Sequence, residues 1–351
     1  MFPDTRASRL FGVRLPIVQT GMGWVSGATL TAATSSAGGL GILASATMTL
    51  DELAAAITKV ASRTDTPFGV NLLPNAPDAA DRIAMIIDRR VPVASFAAAP
   101  RADQITRLAA AGVSTIVTVG ARRHAEKVAQ LGVSAVIAQG GEGGGHTGTI
   151  PTSLLLPQVV DALDGTDVVV LGAGGFFDGR GLAAALTYGA DGIAMGTRFL
   201  LTKESQVPQQ VKDIYLATPP TGTVVTSAID GAPQRVIRTD MIDELEKHVI
   251  SRFPRAAMNA LRFRSQTGTS LGDLIRTGIA MKKDQDLTWA QVALAANAPM
   301  MTKAAMVDGH PEVGILPTGQ VVGAIDELPS VAELLERIEA ETIEALDRTG
   351  R

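Results

Sequence analysis

No cysteine occurs among the 351 residues of this chain. Disulfides, thiolate nucleophiles, Cys-ligated metals and iron–sulfur clusters are thereby excluded. Aromatic residues make up only 4%, so the core has to be built from Ala, Val, Ile and Leu. The net charge is −4, and no basic run is long enough to suggest a nucleic-acid surface. No apolar run approaches the ~20 residues of a membrane span. The N-terminal Met1-Phe2-Pro3-Asp4 lacks the basic segment and apolar stretch of a secretory signal. These absences lead to the expectation of a cytoplasmic protein with no membrane or nucleic-acid partner. What is abundant fits that expectation: 46% hydrophobic and 19% charged residues describe a globular chain long enough for a large core.

Short apolar, β-branched runs recur along the first two hundred residues. They are Pro16–Thr20, Leu40–Ala44, Phe68–Leu73, Val91–Ala97, Thr115–Val119, Ala135–Gln139, Asp167–Gly172 and Gly192–Gly196. Ala-rich amphipathic stretches lie between them, such as Asp51–Ala61, Arg122–Leu131 and Gly179–Tyr188. Strands alternating with helices indicate parallel βαβ units. Near-continuous apolar strands indicate burial on both faces. Eight such units predict an α/β fold, a (β/α)₈ barrel over residues 1–205; an open doubly wound sheet is the second choice. Residues 206–310 read as a mostly helical lid that includes an extended excursion over Pro219–Arg238, with Asp240 and Thr288 as helix caps. Residues 311–351 return to the barrel through a turn at Leu316–Gly323 and end in a helix over Ser330–Leu346.

In either architecture function gathers at the C-terminal ends of the strands. The unusual residues of this chain fall there. Gly21, Met22 and Gly23 follow the first run, Asn71 closes the third and Thr118 the fifth. Gln139-Gly-Gly-Glu142-Gly-Gly144-Gly145-His146-Thr-Gly148 follows the sixth, Gly174-Gly175 the seventh and Gly196-Thr197 the eighth. Glycine lets backbone approach a ligand closely, so a histidine behind this many glycines marks a site. An imidazole titrates near neutrality, and His146 suits general acid–base work. A zinc role needs partners, and His124, His248 and His310 stand at no metal-ligand spacing.

Barrels bind phosphate with the loops after their last two strands and a helix N-terminus. Gly174, Gly175, Gly196 and Thr197 suit that role, with a helix starting near Asp178. Gly172-x-Gly174 also opens a dinucleotide fingerprint, but Phe177 stands where its third glycine would be. Ligand-free turn chemistry is the plain alternative. Glu142, four residues before His146, either orients the imidazole or is solvated. Asn71 either reads the polar edge of a ring or forms a turn. Trp24 either covers an apolar ligand or packs.

Taken together, Ala138-Gln139-Gly140-x-Glu142-x-Gly144-Gly145-His146-x-Gly148 resembles the signature of the nitronate monooxygenase, or 2-nitropropane dioxygenase-like, family. Flavin-dependent enoyl-acyl-carrier-protein reductases share that signature. Pro16-Ile-Val-Gln19-x-Gly21-Met22-Gly23, Gly38-Gly39-Leu-Gly41, Gly69-Val-Asn71, Gly174-Gly175 and Met195-Gly196-Thr197-Arg198-Phe199 extend the likeness over most of the chain. The resemblance implies an FMN-binding (β/α)₈ barrel with an inserted helical subdomain. It places Gly21, Met22, Asn71, Thr118 and Gln139 along the flavin ring, and counts Gly23, Gly144 and Gly145 among the cofactor contacts. Gly174, Gly175, Gly196 and Thr197 would hold its phosphate, and His146 would face the substrate.

Gln19-Thr-Gly-Met-Gly-Trp24, Gly174-Gly-Phe-Phe-Asp-Gly-Arg-Gly181 and Leu287-Thr-Trp-Ala-Gln-Val292 resemble one branch more narrowly. Its members are flavoproteins of actinobacterial steroid degradation, dehydrogenases of a CoA-linked indane intermediate from the C and D rings. Gly143 stands where Ala is usual in the family; an extra glycine would widen the loop for a bulkier substrate. A CoA thioester needs cations, and Arg235, Arg238, Arg262, Arg264, Lys282 and Lys283 are the candidates. Trp24 and Glu142 complete the candidate substrate contacts, and no metal is expected. NAD(P) as a transient electron partner and a homodimer are compatible with the resemblance. The rival readings are a nitronate monooxygenase that uses oxygen and a non-redox, phosphate-binding isomerase or sensor.

Overall fold

Eight strands close on themselves because their apolar faces need cover on both sides. The computed structural model describes residues 2–247, 289–348 and 350. In chain order its strands begin with β1 (Ile17–Gln19), β2 (Leu40–Ala44), β3 (Phe68–Leu72), β4 (Val93–Phe96), β5 (Ser114–Val119) and β6 (Ala135–Gln139). They continue with the two-residue β7 (Gly145–His146), then β8 (Val169–Ala173), β9 (Gly192–Met195), β10 (Thr223–Thr226) and β11 (Gln234–Ile237). A closed parallel barrel runs β1-β2-β3-β4-β5-β6-β8-β9. It is shut by the register Ile17↔Ile193 and Val18↔Ala194 between the first and last strands. Every residue of β2, β3, β4, β8 and β9 is buried, as the continuous apolar runs require. All eight expected strands are present; the run expected at 91–97 shortens to β4, and the one at 167–172 shifts to β8.

Helices α1 (Arg6–Phe11), α2 (Ala28–Ser36), α3 (Leu50–Ala61), α4 (Ala79–Asp88), α5 (Ala102–Ala110), α6 (Arg122–Ala129), α7 (Thr152–Ala162) and α8 (Gly179–Thr187) accompany the strands. The start of α3 shows how sequence sets a boundary. Thr49 accepts from the Glu52 amide, and the Glu52 carboxylate accepts from the Thr49 amide at 2.7 Å, a reciprocal cap. Ala7 and Phe11 of α1 join the barrel-interior cluster of Val18, Ile42, Ile116, Ile137 and Leu171. Arg6 fastens this plug to Asp191 and to the Thr166 and Val168 carbonyl oxygens. A second, larger cluster lies between strands and surrounding helices.

Past the barrel come α9 (Thr197–Leu200), α10 (Gln209–Leu216), α11 (Asp240–Lys247), α12 (Trp289–Met306) and α13 (Val331–Arg348). The excursion expected over Pro219–Arg238 is the antiparallel ribbon β10–β11. Asp240 is the first residue of α11 rather than its cap. The preceding Thr239 takes that place, its hydroxyl 3.4 Å from the Ile242 amide; Thr288 lies outside the described residues. A small core of Ile229, Val236, Ile242, Ala298 and Ile315 joins the ribbon to α11 and α12. The expected turn at Leu316–Gly323 crosses the top of the barrel, and its Pro317 bridges Val236. The C-terminal helix α13 buries Val331, Leu334, Leu335 and Ile338 and packs on α8 and α2. Among the described residues no helix is long and apolar enough to cross a membrane.

Candidate active site

The Gly-rich loop after β6 does not stay with the barrel. Its Gly145 and His146 form β7, which pairs antiparallel with β11 in the register Gln234↔His146 and Arg235↔Gly145. The loop is thereby suspended between barrel and ribbon, over a cavity of about 700 Å³ at the C-terminal ends of the strands. One wall carries Gly21, Met22, Gly23, Trp24, Asn71, Thr118 and Gln139; another carries Glu142, Gly144, Gly145 and His146. Gly174, Gly175, Gly196 and Thr197 line it as well. Fifteen positions singled out from sequence thus meet around one space, of the size that ligand sites have.

Arg235 does not line this cavity. It donates to the Gly141 carbonyl of the Gly-rich loop and to Thr223 Oγ1, each at 2.9 Å. Burial holds its guanidinium below the ordinary arginine range, against the opposing pull of Glu142. The expectation of a substrate contact is corrected to a brace for the loop. Arg238 pairs with Asp243, and Arg262, Arg264, Lys282 and Lys283 lie outside the described residues.

Neither reading of Glu142 holds. Its carboxylate accepts from the Thr152 amide at 2.9 Å and from the Thr152 hydroxyl at 2.7 Å, tying the loop to the start of α7. The carboxylate that meets His146 is Asp230, in the β10–β11 connection. Its Oδ2 lies 2.8 Å from His146 Nε2. Burial works to raise the Asp230 carboxyl. Hydrogen bonds from His146, Gln234 and the Ala232 amide outweigh burial and hold the group below the usual carboxylate range. Asp230 and Gln234 both line the cavity, and sequence reading missed both. An acid in a seven-residue hairpin connection carries no local sign of a partner 84 positions away. Pro317, Thr318 and Gly319, and Ala298, Pro299, Thr302 and Met306, also line the space without having been singled out.

Three further expectations change. Gly143 does not widen the loop: a Cβ there would stand 2.7 Å from Gln139 Nε2 and 2.9 Å from Gln139 Cγ. The space belongs to the Gln139 side chain, which donates to the His146 carbonyl at 2.8 Å. The N-terminus of α8 is not open to an anion. Its first amide, Gly179, donates to Glu341 from α13 at 2.8 Å, and Asp178 accepts from Gly181 at 2.9 Å. Asn71 sits inside β3, buried, with its amide toward the Ser95 carbonyl at 3.3 Å, so the turn reading falls. Trp24 has a φ of +66°, a left-handed conformation that such a side chain rarely adopts. Its indole N–H donates to the Pro299 carbonyl at 3.2 Å, linking the β1 loop to α12 across the cavity mouth. His124 and His310 are exposed and do not line the cavity; His248 lies outside the described residues.

The nitronate monooxygenase family profile matches residues 4–89 and 80–341. A Mycobacterium tuberculosis protein named (3aS,4S,5R,7aS)-5-hydroxy-7a-methyl-1-oxo-octahydro-1H-indene-4-carboxyl-CoA dehydrogenase is 56% identical over 340 residues, 97% of this chain and 96% of that protein. A Rhodococcus jostii protein of the same name is 53% identical, covering 99% of this chain and 98% of its own. A solved structure of FabK from Thermotoga maritima superposes with a TM-score of 0.81 at 32% identity, covering 99% of this chain and 98% of that one. Nitroalkane oxidase from Streptomyces ansochromogenes gives 0.77 at 30% identity, covering 98% of this chain and 100% of that one. These likenesses span the barrel, the Gly-rich loop and the ribbon together, and the chain belongs to the nitronate monooxygenase family of oxidoreductases.

Proposed function

We propose that this protein is an FMN-dependent dehydrogenase of a CoA-linked, bicyclic indene carboxylate from the C and D rings of a steroid. The observation that carries the reading is the near end-to-end identity, 56% and 53%, with two proteins named for that reaction. The cavity supports it. The amides of Gly174, Gly175, Gly196 and Thr197 have no hydrogen-bond partner among the described residues, and all four residues line the space. Gly174 and Gly175 take φ values of +95° and +82°, so the chain turns there in a way side chains resist. A cluster of free amides between glycines suits a phosphate, and these residues would hold that end of FMN. Gly21, Met22, Asn71, Thr118 and Gln139 would lie along its ring. A bound flavin supplies the two-electron acceptor for a hydride.

The protein's own part is to place the substrate and move a proton. A thioester carbonyl acidifies the carbon beside it. Desaturation removes a proton from that carbon and a hydride from its neighbour, leaving a double bond. A bound flavin would accept that hydride, and His146 is the residue that would take the proton. Met22, Trp24, Met306 and Ile315 give the cavity an apolar side against which a methylated bicycle would rest. A CoA-linked substrate goes with a cytoplasmic place of work. NAD(P) as a transient electron partner and a homodimer belong to the same reading; stopped-flow with each nicotinamide and light scattering test them.

The nitroalkane oxidase likeness supports a second reading, oxidation of alkyl nitronates with oxygen. Anaerobic mixing of the purified flavoprotein with a panel of CoA esters beside propyl nitronate separates the two. Bleaching of the flavin by the indene-carboxyl-CoA, with propyl nitronate inert, is the expected result. The reverse pattern would establish the nitronate reading, and a colourless protein that takes up no flavin would remove both.

A further inference from the structure

We infer that Asp230 is the positioning residue of His146: it keeps the imidazole proton on Nε2 and leaves Nδ1 as the nitrogen that exchanges a proton with substrate. The inference rests on the acid–base role proposed for His146. It begins with the strand pairing. His146 and Gln234 are directly opposed across β7 and β11, so their side chains emerge side by side on one face. Asp230 comes round the hairpin connection onto that face, with Oδ2 at 2.8 Å from His146 Nε2.

Two donors besides His146 converge on this carboxylate. The Ala232 amide donates to Oδ1 at 3.1 Å, and Gln234 Nε2 donates to Oδ2. An ionised carboxylate is acceptor-only, and a carboxyl group so surrounded by donors stays ionised. It has no proton to give, so in its contact with His146 the donor is the imidazole Nε2–H. The neutral ring then has its lone pair on Nδ1. The two partners are unequal: the His146 side chain is 66% exposed and that of Asp230 12%. The carboxylate is the anchored half, and the imidazole, on an exposed strand end, is the half that needs holding. The other charged groups beside this strand are committed elsewhere, Glu142 to Thr152 and Arg235 to Gly141.

The test is a double-mutant cycle on the flavin-loaded enzyme with its CoA-ester substrate. Asp230→Asn keeps the shape and removes the charge. Its kcat is expected to fall roughly 10²- to 10³-fold, within the range of acid–base help, with KM within about threefold and flavin content unchanged. In a His146→Ala background the same change is expected to have no further effect, because a residue acting through another loses its influence when the other is gone. Losses that multiply in the double variant, or a parental kcat in Asp230→Asn beside a crippled His146→Ala, would overturn the inference while sparing the role of His146. A parental kcat in His146→Ala itself would instead remove the role on which it rests. A readout on the unmutated enzyme guards against a variant that misfolds. In ¹⁵N-histidine spectra, with His146 identified by its absence from His146→Ala, the neutral ring should carry its proton on Nε2. A proton on Nδ1 would overturn the inference.

Discussion

His146→Ala is expected to purify as yellow as its parent and to turn over on the order of 10²- to 10⁴-fold more slowly, the range of a lost general acid–base. Flavin retention follows from how this segment is held. β7 is fixed by main-chain pairing with β11, and Gln139 donates to the main-chain oxygen of residue 146. Alanine keeps every one of those bonds. What it removes is a side chain 66% exposed, whose loss leaves no buried cavity. Flavin per chain, measured after denaturation, should therefore match the parent while kcat collapses. An unchanged kcat would show that the proton moves without the imidazole. Loss of flavin would show that His146 is part of the cofactor's cradle.

Gly144→Ala is expected to do the opposite, weakening cofactor binding while leaving the barrel folded. A Cβ at this position would stand 2.4 Å from the Thr318 carbonyl carbon and 2.5 Å from the Gly319 nitrogen. Both are backbone atoms and cannot rotate aside. Gly319 donates to Thr197 Oγ1 at 2.8 Å, and Gln320 donates to the Glu142 carbonyl at 2.9 Å. Displacing this crossing therefore drags both the Gly-rich loop and the loop proposed to hold the phosphate. Overpacking of this kind costs about 1–3 kcal/mol. At ~1.4 kcal/mol per tenfold, FMN binds about 5- to 150-fold more weakly. Fluorescence titration of the apoprotein measures it, and parental affinity would mean that the flavin does not depend on this contact.

The barrel was legible because its signal is local. Each strand is a short apolar run between amphipathic stretches, and burial on both faces leaves no other pattern. The gathering of Gly21, Asn71, His146, Gly174 and Gly196 was legible from topology, since parallel strands all deliver their C-terminal ends to one face. The corrections share a cause: each concerns a group whose partner is set by the folded path of the chain and not by spacing along it. Glu142 was weighed against His146 four residues away, yet its partner is Thr152, because the segment is a loop and not a helix. Arg235 was counted toward the ligand, yet β11 turns it onto the Gly141 carbonyl. The α8 terminus was read as an anion site, yet Glu341 reaches it from 162 positions on. Asp230 was passed over because the pairing of β7 with β11, which brings it in, leaves no mark on either segment alone.

That pairing has a consequence for how such an enzyme diverges. The imidazole is set in place by main-chain bonds to the ribbon, and main-chain bonds are indifferent to which side chains the ribbon carries. Outward positions such as Val225, 40% exposed, are free to drift without disturbing His146. Within reach of the imidazole, Asp230 and Gln234 form a two-residue constraint on an otherwise variable strip. A lineage can thus refashion the roof while the grouping of His146 with Asp230 and Gln234 is inherited intact.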